Sequence, residues 1–217
     1  DLNFLITDLV SGLKYKKGPY YADEGDFSAA GAMRLDFPHR LEKGAAEIGA
    51  GANGYRRILV ADSPSVGNGN LLYALEVFHN DGPWTQPDDY RKYSGMLRYA
   101  EGTPQNGFSL TAMAYQGTWN ATNQVPKRAL GAGLIGRWDT LSPTDGGEAS
   151  RYSLSGAWNK TAQDSATAAN AYVIRNRLDL WNDWLGHSYQ MLPRWGAIQP
   201  FDFQAARQGV LLGFWND

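Results

Sequence analysis

The residue types that most often carry chemistry are sparse in this chain. His39, His79 and His187 are its three histidines, and no two of them stand at metal-ligand spacing. Carboxylates cluster at Asp88-Asp89, at Asp23-Glu24-Asp26, and at Asp179 with Asp183. General acid–base work requires surroundings that drive two pKa values apart, a property of tertiary structure and not of adjacency. There is no cysteine, which removes thiol nucleophiles, disulfide scaffolds and Cys-based zinc sites together. No GxSxG motif occurs, and SVGNGN lacks the Lys-Ser/Thr end of a phosphate loop, so it reads as a turn. Asn120-Ala-Thr122 and Asn159-Lys-Thr161 match the glycosylation triplet, a match that chance readily supplies. The expectation is a protein that is not an enzyme and has no metal or cofactor.

The aromatic and basic residues say more. Trp84, Tyr90, Trp119, Trp158, Trp181 and Trp184 fall mostly at the ends of alternating segments. Interfacial anchoring is the first reading of that placement, and stacking on a ligand is the second. Trp84 and Trp119, with Arg128 and Arg137, are taken as ligand-contacting candidates in the loops. Arg151, at the end of the same loop region, is a further cation for an anionic ligand.

These side chains need strands to hold them. Glycine at 25 residues and aromatics at 13% point to an all-β chain. A mean hydropathy of −0.45 suits alternating strands as well as a water-soluble protein, because neither contains a long apolar run. No stretch reaches the roughly 18 apolar residues of a spanning helix. A net charge of −2 supplies no basic stripe, so no nucleic-acid partner is expected.

From Ala45 the sequence reads as strands near Ala45–Ala52, Tyr55–Asp62, Asn70–Asn80, Tyr90–Ala100, Phe108–Asn120, Arg151–Lys160, Ala166–Trp181 and Arg207–Trp215. In RYSLSGAWN, Tyr152, Leu154, Gly156 and Trp158 share one face, and Arg151, Ser153, Ser155 and Asn159 share the other. The same alternation places Tyr73, Leu75, Tyr93, Leu97, Leu154 and Trp158 on an outer, lipid-facing side. Glu76, Arg98, Arg175 and Arg177 are expected on the inner side. After the Asn53-Gly54 hairpin signal, short turns (PSVGNG, EGTPQNG, TAQDS) alternate with long links (80–89, 121–150 and 182–206). Long loops gathered at one end are the signature of an outer-membrane barrel. The fold class expected is all-β: an antiparallel up-and-down meander of a transmembrane β-barrel, of about eight strands and open.

Residues 1–44 alternate poorly and read as a separate unit. Their segment YKKGPYYADEGDFSAAGAM resembles the end of the plug of TonB-dependent outer-membrane receptors. The resemblance rests on Lys16 and Lys17 closing a strand, the Gly18-Pro19 turn, Tyr21 with Gly25, and a last strand opening at Gly31. EIGAGANGYRRILVADSP resembles that family's first barrel hairpin, and GLIGRWDTLSPTDGGEASRYSLSGAW a long loop with its following strand. The resemblance implies that 1–44 is the C-terminal part of a plug domain and 45–217 the N-terminal part of a barrel domain. It implies a fragment, since the family barrel has about 22 strands. It further implies a receptor or transporter in the bacterial outer membrane, energised by TonB, in contact with lipid and taking up a scarce nutrient such as an iron–siderophore complex. A complete eight-stranded small barrel and a soluble carbohydrate-binding β-sandwich are the alternatives.

Overall fold

The computed structural model describes residues 2–18, 20 and 30–181 in full, and 207–216 as backbone. The order of elements is a 3-10 turn at Thr7–Leu9, β1 (Gly12–Lys17), β2 (Gly31–Asp36), β3 (Ala45–Ala50), β4 (Arg56–Asp62), β5 (Ser65–Val66), β6 (Gly69–Asn80), β7 (Tyr90–Gly102), β8 (Asn106–Asn120), α1 (Lys127–Gly131), β9 (Gly146–Thr161), β10 (Ala166–Trp181) and β11 (Arg207–Asn216). β1 and β2 form a two-stranded hairpin. The large sheet runs β11-β10-β9-β8-β7-β6-β4-β3, with the two-residue β5 paired off this path onto β6.

Every neighbour in that path is antiparallel and, but for the two-residue β5 between β4 and β6, adjacent in sequence, so the meander expected from alternation is the architecture observed. The ladders run without a bulge from end to end, and opposite residues therefore share a face. One face carries Ile48, Leu75, Tyr93, Leu97, Leu154 and Val173, each at least half or nearly half exposed. The other carries Leu59, Leu72, Ala74 and Met96, all buried. Leu72 and Ala74 are thereby explained: they alternate with Tyr73 and Leu75 but meet protein on their side.

That protein is the N-terminal unit. Ile6 and Leu9 join Leu59, Ala61, Leu72, Ala74 and Met96 in one core, with Phe37 and Leu41 packed against it. Three polar anchors reinforce the contact. Arg57 of β4 pairs with Asp8, Lys92 of β7 donates to the Leu5 carbonyl at 2.8 Å, and the Arg151 guanidinium of β9 lies 4.4 Å from the Phe4 ring centroid. Arg57 and Lys92 also flank the buried Glu76, each 2.7 Å from one of its oxygens.

The sequence reading assigned β10 the wrong way round for two residues. Val173 stands opposite Leu154 and Arg175 opposite Tyr152, so Arg175 is on the outer face, and Arg177 with it. Arg177 pairs there with Asp179 and Glu148. The cause lies in the strand itself: Ala169, Ala171 and Val173 alternate with Tyr172, Ile174 and Leu178, so both faces are partly apolar. Pairing to β9 then decides the register. Arg98 does face inward, where it donates to Thr111 Oγ1 at 2.7 Å. Arg151 also turns inward to Phe4 and to Asn176 Oδ1 at 3.1 Å, away from the loop ligand site first considered for it.

In the N-terminal unit, Lys17 closes β1 and pairs with Gly31, which opens β2. Gly18 follows β1 and donates to the Ala30 carbonyl at 3.1 Å. Pro19, Tyr21, Gly25, the Asp23-Glu24-Asp26 group, Asp183, Trp184 and His187 lie outside the described residues. No ladder joins β3 to β11 among the described residues, so the sheet is open as expected.

Candidate functional site

The up-and-down path puts the turn at 51–55, the loop 81–89 and the loop 121–145 at one end of the sheet. The short links at 63–64, 103–105 and 162–165 lie at the other. The Asn53-Gly54 turn has both residues at positive φ, 55° and 68°, the type I′ geometry that suits a hairpin between twisted strands.

The two long described loops brace each other. Thr85 N donates to the Trp138 carbonyl at 2.9 Å, Thr85 Oγ1 to Asp139 at 2.6 Å, and Gln86 Nε2 to the Pro143 carbonyl at 2.7 Å. The Trp84 and Trp138 rings meet at 5.6 Å. Asn120 closes the seam, its backbone N donating to Asp88 O at 2.7 Å and its side chain to Pro87 O at 3.0 Å. The Asp139 carboxyl is held below its usual range by the Thr85 hydroxyl and the Gly136 N–H.

Between these loops and the N-terminal unit lies a cleft of about 580 Å³. Its aromatic walls are Phe78, Trp84, Tyr90 and Trp119. Asn3, Asn80, Asn120 and Thr122 contribute polar groups, and Asp88 a carboxylate. Behind the cleft Tyr55 stands edge-on to Phe78 at 5.5 Å, and Phe78 is tilted against Tyr90 at 5.7 Å. Asp88 Oδ2 accepts from Trp84 Nε1 at 2.9 Å. Burial lifts the Asp88 carboxyl above its usual range; the Trp84 hydrogen bond opposes that rise and the nearby Asp81 charge adds to it. Gly82, at φ +66°, is required here, because a Cβ on it would come within 2.6 Å of Asp88 Oδ2 and 2.9 Å of Trp84 Cδ1.

The structure brings together two of the four loop residues singled out from sequence. Trp84 and Trp119 both line the cleft. Arg137 does not; its guanidinium lies over Trp138 at 5.5 Å, one ring removed from Trp84. Arg128 is on the exposed side of α1 and also outside the lining. Tyr90, read first as an interfacial anchor, joins the cleft, whereas Trp158 and Trp181 stand exposed on the outer face as that reading requires. Sequence reasoning misses Asn3, Phe78 and Asn80, and reads Asn120 and Thr122 only as part of a glycosylation triplet. Phe78 and Asn80 carried a signal, being the last inward residues of β6 below a long loop; Asn3 carried none, since its place depends on docking of the N-terminal unit.

Asp88 and Asp89 separate into different environments. Asp89, at φ 43°, takes both Arg91 nitrogens at 3.0 and 2.8 Å, and its Oδ1 is 3.6 Å from His79 Nδ1. His79 Nε2 is 3.2 Å from Asp81. The imidazole thus bridges the first and last residues of loop 81–89, and these three donors could also surround a cation. Sequence spacing between histidines could not reveal such a group.

No family model matches the chain, and no curated protein does. Among solved structures it is similar to the siderophore receptor PiuA from Acinetobacter baumannii, with a TM-score of 0.65 and 14% identity. The likeness is one of fold. It covers 79% of this chain and 27% of the receptor, so the chain spans about a quarter of that protein's length. The antiparallel meander described above is therefore of the β-barrel type.

Proposed function

We propose that the chain belongs to an outer-membrane receptor whose ligand binds in the cleft between the long loops and the N-terminal unit. The observation that carries this reading is the cleft's composite construction. Trp84 and Trp119 come from the loops and strand ends, whereas Asn3 comes from the unit packed on the inner face of the sheet. A ligand seated there touches both parts, so its binding is coupled to how the unit is held. In this reading residues 1–44 are the C-terminal part of a plug and 45–217 the first part of the barrel. The exposed apolar face meets lipid, TonB energises transport in the whole receptor, and a ferric siderophore is the nutrient class. The siderophore receptor of similar fold supports the ligand class. The chain has no catalytic role in this reading.

Exposed Ile48, Ile58, Val77 and Tyr93, in register on the neighbouring strands β3, β4, β6 and β7, support the lipid assignment, because water penalises such a continuous apolar surface and hydrocarbon does not. A soluble sandwich needs a second sheet over that face, and none is present among the described residues. The open order from β3 to β11 weighs against a complete eight-stranded barrel.

Fractionation and uptake test the proposal together. The protein should be recovered in the outer-membrane fraction. Cells carrying a Trp84→Ala/Trp119→Ala variant should take up ferric siderophore several-fold more slowly than wild type, since the two indoles supply much of the cleft's apolar contact area. Recovery in the soluble fraction, or uptake unaffected by both substitutions, would count decisively against it.

A further inference from the structure

The cleft restricts the ligand's charge. Among the described residues Asp88 is the one charged side chain in its lining, and the remaining polar lining is amide and hydroxyl. The neighbouring cations are engaged elsewhere. Arg91 chelates Asp89, Lys92 is shared between Glu76 and the Leu5 carbonyl, and Arg137 is stacked on Trp138. Loops 81–89 and 121–145 together hold five carboxylates against three basic residues.

Asp88 is also fixed in place. Its backbone N donates to Asp81 O at 2.8 Å, its carbonyl accepts from Asn120, and its Oδ2 is tied to Trp84. Trp84 and Trp119 offer aromatic faces, whose quadrupole attracts cations and repels anions. An anionic ligand entering here gives up hydration and meets no cation in return among the described lining residues.

We infer that this cleft selects an uncharged or cationic ligand with an apolar face for Trp84 and Trp119 and hydrogen-bonding edges for the asparagines, and that it rejects polyanions. The inference rests on the receptor reading and narrows it. Among iron carriers it favours the trihydroxamate class, whose ferric complexes are neutral or cationic, over the trianionic tris-catecholates. Asp88 is the residue that sets the preference.

Three ferric complexes serve as probes: a cationic trihydroxamate, a neutral trihydroxamate and a trianionic tris-catecholate. Each is titrated calorimetrically into the chain in detergent micelles at constant ionic strength, in wild type and Asp88→Asn. The asparagine keeps an oxygen acceptor for Trp84 Nε1 and removes only the charge. Wild type should bind the trihydroxamates and not the tris-catecholate. Asp88→Asn should narrow the cationic-over-neutral affinity ratio by about five- to tenfold, the effect of one partly desolvated charge. Asp164→Asn, in the turn at the opposite end, should leave that ratio unchanged. Tighter binding of the tris-catecholate, or a ratio indifferent to Asp88→Asn, overturns the charge inference while leaving the receptor reading standing. Failure of all three complexes to bind removes the cleft as the ligand site and overturns both.

Discussion

Glu76 accepts the Arg57 Nε–H at 2.7 Å and stands 2.7 Å from Lys92 Nζ, with its side chain 5% exposed and each cation's 12%. Removing the carboxylate leaves two poorly hydrated cations facing one another. Glu76→Ala should therefore cost about 3–5 kcal/mol, the range for breaking a buried pair by deleting one partner. Denaturant melts of the two proteins read it directly, and a loss under 1 kcal/mol would mean the network is solvated. Asp8 adds a pH signature. The Arg57 hydrogen bond holds its carboxyl below the ordinary 3.8, against the opposing effect of burial. A lowered carboxylate contributes stability that is present above the unfolded value and lost as pH falls through the folded one. Wild type and Asp8→Asn should thus differ in stability at pH 6, and the difference should vanish only below pH 3.8. A gap that closes at higher pH would show that Asp8 is not held by Arg57.

Strands carry the next prediction. β9 and β10 are 16 residues each, more than the 9–11 needed to cross a bilayer, so in the receptor reading their ends project beyond it and carry the loops clear of the surface. Leu154, opposite Val173 on one side and Ala112 on the other, lies within the outer apolar face. Leu154→Arg should destabilise the bilayer-inserted protein by about 2–4 kcal/mol if it lies near the midplane. The revised register of β10 makes a sharper claim. A spin label at Val173 should be relaxed by lipid-soluble oxygen and one at Ile174 should not, the reverse of what apolarity along β10 alone suggests. Equal relaxation at both sites would place the register in doubt. Within loop 81–89, Gly82→Val should disrupt the Trp84–Asp88 contact and weaken ligand binding without altering the strands, as titration and circular dichroism would show.

At the scale of the whole molecule, an open sheet cannot seal a pore. Its edge strands β3 and β11 each present a row of backbone groups without a ladder among the described residues, and each such group costs several kcal/mol in hydrocarbon. The purified chain should give no discrete conductance steps in planar bilayers and should aggregate with time; stable unitary steps would show that its edges close. The N-terminal unit is held on the inner face by an apolar core reinforced at Arg57, Lys92 and Arg151.

The strand list was legible because a side-chain period of two is a local property. Leu71–Val77 and Arg151–Asn159 display it without reference to any neighbour, and β10 was found at its observed limits. The order of pairing followed too, since short turns leave adjacent strands few alternatives. The face of β10 was not legible. Apolar residues occupy both sides of Ala169–Leu178, and only hydrogen bonding to β9 chooses between them. The candidate site divides along the same line. Trp84 and Trp119 were visible as aromatics beside long loops, whereas Asn3 reaches the cleft across most of the domain and Arg137 is diverted onto Trp138. Sequence alone determined which segments extend and which end carries the loops. Tertiary structure decided which polar groups converge, because convergence depends on contacts between residues far apart in the chain, and these leave no period to read.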